Sequence, residues 1–156
     1  MEQNVNFKID EKDLRILSAL KENSKLSTWN LSKKINLPVT TIHHRIKKLE
    51  KIGVITKYTL ELDEEKLGKH VLALVLVTVG VDKTTGFGVD HDTVAREILK
   101  FPEVQKVYTI TGMTDILVKV RTKDNLELNK FLIKRLRKLA GIERTQTSIV
   151  LSEFKK

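Results

Sequence analysis

Between Ser27 and Gly53 two helical patterns are separated by one tight turn, Asn36-Leu37-Pro38, and this spacing leaves the stretch few ways to fold. Leu31 and Ile35 repeat at i, i+4, and Ile42, Ile46 and Leu49 at i, i+4, i+7, so each segment has one apolar face to bury. Ser27 suits the N-cap of the first helix. Asn36 tolerates the left-handed backbone that ends it, and Leu37-Pro38 opens the second helix. A preceding helix is expected over residues 10–22, capped by Asp10, with Leu14, Ile16, Leu17 and Leu20 lining one face. Together these form a three-helix unit.

Wound at about 100° per residue, the third helix turns Thr40, His43, His44, Lys47 and Lys51 away from its apolar stripe and leaves Thr41, Arg45 and Lys48 on the flank. That outer surface is rich in donors. From Ser24 to Tyr58 eight bases, Lys25, Lys33, Lys34, Arg45, Lys47, Lys48, Lys51 and Lys57, stand against Glu50 alone, a local balance of +7. Charge by itself fits a solvated helical face as well as a binding surface. A short helix, a turn of few residues and a basic helix with hydroxyls at its N-terminus together match a helix-turn-helix reading the major groove of double-stranded DNA. The expected DNA contacts are Thr40, Thr41, His43, His44, Arg45, Lys47, Lys48 and Lys51.

The same stretch carries a family resemblance. Ile9-Asp10-x-x-Asp13-x-x-Ile16-Leu17, Leu26-Ser27, Leu31-Ser32-Lys33-Lys34 and Ile42-x-x-Arg45-Ile46-x-x-Leu49-Glu50-x-x-Gly53-Val54-Ile55 resemble the Lrp/AsnC, or feast/famine, transcriptional regulators, and the similarity runs to the C-terminus. The resemblance implies a winged helix-turn-helix module followed by a domain called RAM, which pairs into homodimers and often into rings of four dimers, and control by an amino-acid effector. One departure is local. Where the family usually caps the recognition helix with Ser, this chain has Pro38, which suits a helix start but has no side-chain acceptor. The cap is then either weaker or supplied by another residue.

A net charge of +9 and a pI near 9.7 favour polyanionic partners over acidic small substrates. The excess is not confined to the first half: residues 1–66 carry 13 bases and 10 acids, whereas residues 67–156 carry 16 and 10. The second half has its own cluster at Lys134, Arg135, Arg137 and Lys138, read first as a helix C-terminus complementing its dipole and second as a DNA contact. With 156 residues and 40% hydrophobic content, two small domains fit better than one. There is no apolar run of about 18 residues and no signal-like start, so a cytoplasmic protein without a membrane partner is expected. Zero Cys excludes disulfides and thiolate chemistry.

Asp13 reads as a first-turn acid favoured by the helix dipole, in preference to an ion-pair partner for Arg45. Trp29, the only Trp, is expected to wedge the small core rather than touch DNA. After Gly53, residues 54–62 alternate Ile55, Lys57, Thr59, Glu61 against Thr56, Tyr58, Leu60, Leu62, which predicts a strand. Asp63-Glu64-Glu65 then leads to Gly68 as a hinge. The expected division is 1–54 for the DNA-binding module, 55–68 for strand and linker, and 69–156 for the C-terminal domain.

From His70 onward the pattern becomes strand, helix, strand, strand, helix, strand, at about 70–80, 92–100, 104–111, 115–122, 125–139 and 144–152. The order βαββαβ specifies an α+β, ferredoxin-like unit with both helices on one face of an antiparallel sheet. Residues 71–77, VLALVLV, are apolar on both faces, so the uncovered side of the sheet needs a cover, and a second copy of the sheet is the economical one.

Gly112-Met113-Thr114-Asp115 reads as a hairpin turn. It also resembles the family's G-x-x-D element, which lies near the effector pocket between dimers; the family often has an acidic or aromatic residue where Met113 and Thr114 stand. Thr145, Thr147 and Ser148 are weaker candidates for the same pocket. Asp90-His91-Asp92, after the loop from Gly80 to Gly88, is explained by helix capping more simply than by a metal. His43 and His44 cannot point at one ion from adjacent helix positions. No phosphate cradle, nucleophile-base set or cofactor motif is present, so an enzyme is not expected. The function read from the sequence is a sequence-specific transcriptional regulator. The alternatives are a nucleoid-type architectural protein, and a small-molecule-binding regulatory subunit with no DNA role.

Overall fold

The computed structural model describes residues 8–81, 86 and 88–154, and the chain divides into two compact units, residues 1–62 and 63–156. In the first, α1 (Glu11–Glu22), α2 (Thr28–Ile35) and α3 (Val39–Lys51) are bounded by the residues their chemistry selects. Asp10 caps α1 by accepting the Asp13 N–H at 2.9 Å, and the Asp13 carboxylate accepts the Asp10 N–H at 3.3 Å, a reciprocal box. Ser27 accepts the Asn30 N–H at 3.2 Å, and Asn36 closes α2 in the left-handed region at φ 51°. Pro38 makes no side-chain cap to α3. The turn is held instead by the Ser32 hydroxyl, which donates to the Leu37 carbonyl at 2.6 Å.

The core of this unit is Ile16, Ala19, Leu20, Leu31, Ile35 and Ile42, with Leu26, Leu37, Ile46 and Ile55 packed against it. Three expectations fail here. Leu14 is 58% exposed, because the buried stripe of α1 runs through Ile16, Ala19 and Leu20. Trp29 is 56% exposed and does not wedge the core; it lies opposite Leu31 and Ile35 on α2, and Lys33 Nζ sits 3.4 Å from its ring centroid. Residues 54–62 form no strand despite their alternation. A period-2 pattern specifies a strand only where an edge supplies hydrogen bonds, and Tyr58, Leu60 and Leu62 remain exposed.

The second unit has the order β1 (Val71–Val79), α4 (His91–Leu99), β2 (Val104–Thr109), β3 (Ile116–Thr122), α5 (Asn125–Lys134), a single 3-10 turn at Leu136–Lys138, and β4 (Ile142–Ile149). The sheet runs β2-β3-β1-β4 and every pairing is antiparallel, the ferredoxin-like arrangement. Ala73, Val75, Val77, Ile116, Val118 and Val120 pack beneath Val94 and Ile98 of α4 and Leu128 and Phe131 of α5. Phe101 meets Phe131 edge-on at 5.6 Å.

The other side of the sheet is less apolar than β1 alone suggests. Register places Leu72, Leu74 and Leu76 opposite Arg121, Lys119 and Leu117 of β3, and Leu74 and Leu76 opposite Ser148 and Gln146 of β4. Lys119 and Arg121 are both held by Glu153, at 2.6 and 3.1 Å. The uncovered face is therefore a narrow leucine stripe bordered by charge. Among the described residues, no helix is long and apolar enough to cross a membrane.

Candidate nucleic-acid interface and ligand-binding domain

Helix α3 separates its side chains as its periodicity requires. Ile42 and Leu49 are fully buried, Thr41, Arg45 and Lys48 are half-buried on the flank, and Thr40, His43, His44, Lys47 and Lys51 are exposed. The outer face therefore presents two imidazoles, one hydroxyl and two ammonium groups. Its N-terminal turn contains no acid, and Thr40, His43 and His44 are exposed in its N-terminal half. Glu50, the one acid on α3, accepts from Lys47 at 3.1 Å and from the Tyr58 hydroxyl at 3.0 Å. These two hydrogen bonds hold the Glu50 carboxyl below its usual range and anchor Tyr58 to α3.

Two of the three flank residues, Arg45 and Lys48, are ion-paired to α1 and its cap. Arg45 Nη1 lies 2.7 Å from both oxygens of Asp10 and 2.7 Å from Asp13 Oδ1, and Lys48 Nζ lies 3.5 Å from Asp13 Oδ2. Asp13 is thus both the first-turn acid and the ion-pair partner of Arg45, the reading that the sequence placed second. Burial pushes the Asp13 carboxyl up, but hydrogen bonds from Arg45 and the Asp10 N–H outweigh it and the net shift is downward. Hydrogen bonds donated to the two carboxylates raise Arg45 further above its already high value. No local pattern announced this cluster; its members lie 32 and 35 residues apart. The available signal was a second acid, three residues after the cap, in a helix whose neighbour presents an arginine beside its apolar stripe.

In the second unit the residues from Gly112 to Asp115 form the turn between β2 and β3. Gly112 has φ 126°, Met113 is 99% exposed, and Thr114 and Asp115 are half-buried. Asp115 is wired into the sheet: its N–H donates to the Val77 carbonyl at 3.0 Å, its carbonyl accepts the Ile110 N–H at 2.8 Å, and Oδ2 accepts the Val79 N–H at 2.7 Å. The carboxylate thus adds one rung beyond the last β1–β3 pair. Thr145 and Thr147 pair with Val77 and Val75 and share their helix-covered side, whereas Ser148 pairs with Leu74 and lies on the other. The three candidates on β4 do not share a face, and Thr145 already accepts from Arg137 Nε at 3.0 Å.

Asp90 takes both the N–H of Thr93, at 2.9 Å, and its hydroxyl, at 2.6 Å, as the N-cap of α4. Most of the loop between Gly80 and Gly88 lies outside the described residues. In the basic cluster, Arg135 pairs with Glu103 at 2.5 Å, so part of it is internal to the domain.

Comparison with known proteins agrees with this layout along the whole chain. A model described as winged helix-turn-helix DNA-binding matches residues 9–56, and one described as the Lrp/AsnC ligand binding domain matches residues 74–156. The chain belongs to the Lrp/AsnC family. An HTH-type transcriptional regulator of Pyrococcus horikoshii, FL11, is 40% identical over 147 residues, covering 94% of this chain and 92% of its own. The Bacillus subtilis transcriptional regulator AzlB is 37% identical over 151 residues, covering 95% and 92%. Among solved structures, a transcriptional regulator of Neisseria meningitidis in complex with L-Met superposes with a TM-score of 0.86 at 28% identity, covering 96% of this chain and 94% of that one. As an Lrp/AsnC protein, the chain is a transcriptional regulator, not an enzyme, with a helix-turn-helix DNA-binding unit and a ligand-binding domain.

Proposed function

We propose that this regulator reads a specific duplex through the exposed face of α3, acts as a homodimer or a tetramer of dimers, and answers to an amino acid bound by its C-terminal domain. The observation that carries the reading is the division of α3 into a buried stripe, a flank where Arg45 and Lys48 are ion-paired, and an exposed outer face. Thr40, His43 and His44 are the base readers, Thr41 stands at the edge of their surface, and Lys47 and Lys51 are the phosphate contacts. Arg45 and Lys48, expected from sequence to touch DNA, are ion-paired to Asp13, and this reading gives them the α1–α3 contact. Sequence specificity, rather than architectural binding, is supported by this hydroxyl- and imidazole-rich surface, since an architectural protein needs only phosphate contacts.

Two copies related by a twofold axis would cover the Leu74/Leu76 stripe and place their recognition helices on pseudo-palindromic half-sites about one DNA turn apart. The amino-acid effector is supported by the L-Met carried by the Neisseria relative. The reading assigns it to the turn of Gly112, Met113, Thr114 and Asp115 with Thr145 or Thr147. Because Asp115 Oδ2 already accepts a backbone N–H, an ammonium would share that carboxylate rather than find it empty.

The test is selection of bound duplexes from a random library, repeated with each standard amino acid at millimolar concentration, alongside sedimentation. A consensus with twofold symmetry, altered in occupancy by at least one amino acid, is expected. Equal affinity for selected and scrambled duplexes at fixed salt would leave only architectural binding.

A further inference from the structure

We propose that Asp13, buried away from any ligand, is a specificity determinant for DNA: it fixes the angle at which α3 presents its reading face by holding Arg45. Asp13 is 0% exposed, and an uncompensated carboxylate is strongly disfavoured there. Its compensation comes from Arg45 at 2.7 Å, from Lys48 at 3.5 Å and from the Asp10 N–H. Arg45 Nη1 is shared with Asp10, at 2.7 Å from both its oxygens, and Arg45 keeps only 22% of its side chain exposed. The guanidinium is therefore a strut from α3 to the first turn of α1.

The strut matters because the apolar contact alone defines roll poorly. Ile42 and Leu49 lie on one line along the helix, with Ile46 between them only partly covered, and apolar packing is non-directional. A roll of about 20° would carry side-chain tips, about 5–6 Å from the helix axis, by about 2 Å. Hydrogen bonds to base edges do not survive such a shift, since their length range is only a few tenths of an ångström. Contacts of long, flexible lysines with phosphates do. Loss of the strut therefore erodes discrimination between sequences and spares general affinity.

This produces an opposition of signs. Asp13→Asn removes a negative charge from a DNA-binding unit and loosens two cations, so simple electrostatics has it bind every duplex more tightly. The positioning role has it bind the preferred duplex more weakly while the scrambled one is unchanged or tighter. The proposal rests on the sequence-specific reading above, and the unmutated chain separates the two: if it does not prefer its selected duplex, that reading fails before Asp13 is tested.

The experiment compares full-length chain, Asp13→Asn and Arg45→Gln on a duplex selected by the unmutated protein and on a scrambled duplex of equal length, over a range of salt. The ratio of the two affinities should fall about tenfold in both variants, the size of one lost base contact, with the salt slope unchanged. Circular dichroism at the assay temperature monitors folding. Where Arg45→Gln strands the Asp13 charge and unfolds, the double variant Asp13→Asn/Arg45→Gln, free of that charge, carries the same expectation. A ratio kept at its original value in the folded variants overturns the proposal. So does a slope lowered by about one unit on losing Arg45, which would make Arg45 a phosphate contact.

Discussion

In residues 1–62 the buried apolar set comes from three short helices, and the elements are held by caps and by ion pairs, Arg45 and Lys48 with the start of α1 and Lys34 with Glu22. In residues 63–156 six strand residues alternate beneath two helices and the chain closes on itself through three antiparallel ladders. The first unit relies on contacts near in sequence and on charge. The second relies on apolar volume and on pairs far apart, such as Val71 with Thr122. The first can therefore present five of the nine polar side chains of α3 outward, while the second has little freedom on its covered face and keeps its polar chemistry in turns and on the bare side.

The largest effect expected from this contrast is Phe131→Ala. Phe131 is 1% exposed at the centre of the second core, and its truncation should cost about 3–5 kcal/mol. Ile42→Ala should instead lower the transition of the first unit. Urea unfolding followed by circular dichroism would show two separately displaced transitions; a single shared one would mean that the units unfold as one and the contrast is empty.

Leu74→Asp or Leu76→Asp comes next. Either places a charge on the bare stripe, so the sedimenting species should fall to a monomer and binding to the selected duplex should be lost while helical content is retained. A dimer that survives either change uses some other surface.

Thr40→Ala and His44→Ala should each cost on the order of 1–3 kcal/mol at the preferred site and nothing on scrambled DNA. Equal losses on both duplexes would remove these residues from the base-reading set.

Acid should act on the first unit through Asp10 and Asp13, whose carboxyls are both held below their usual value. A depressed carboxyl stabilises the fold above its unfolded value, near 3.9, and that contribution disappears as pH falls through the folded value. Melting temperature should be flat above about pH 4 and decline below it, with part of the decline missing in Asp13→Asn. An identical decline in that variant would assign the acid sensitivity elsewhere.

Lys51→Ala is the smallest change: it should weaken binding to every duplex alike and lower the salt slope by about one unit. A sequence-dependent loss would make Lys51 a base reader.

The legible parts of this protein are those whose physics closes within a few residues. Asp10, Ser27 and Asp90 cap because an oxygen on Cβ or Cγ reaches an N–H three residues on, and Asn36 ends its helix because it tolerates positive φ. The order βαββαβ was legible for the same reason, as each period of 2 or 3.6 is written in one segment. The exposed face of α3 followed from period alone.

What required the tertiary structure was every question of partnership. The alternation of residues 54–62 states a willingness to pair, but no edge meets it, so no strand forms. Trp29 could have wedged or protruded; only the packing of α2 through Leu31 and Ile35 puts it outside. Asp115 resembles a ligand group in sequence, and only the fold adds that its carboxylate also accepts the Val79 N–H at the end of β1, at 2.7 Å. Asp13 and Arg45 each had a sufficient local explanation, dipole and DNA respectively, and became one strut only when α1 and α3 were laid together. Period and capping are properties of a segment, whereas a buried charge is explained only by the group opposite it, and the group opposite is chosen by the fold.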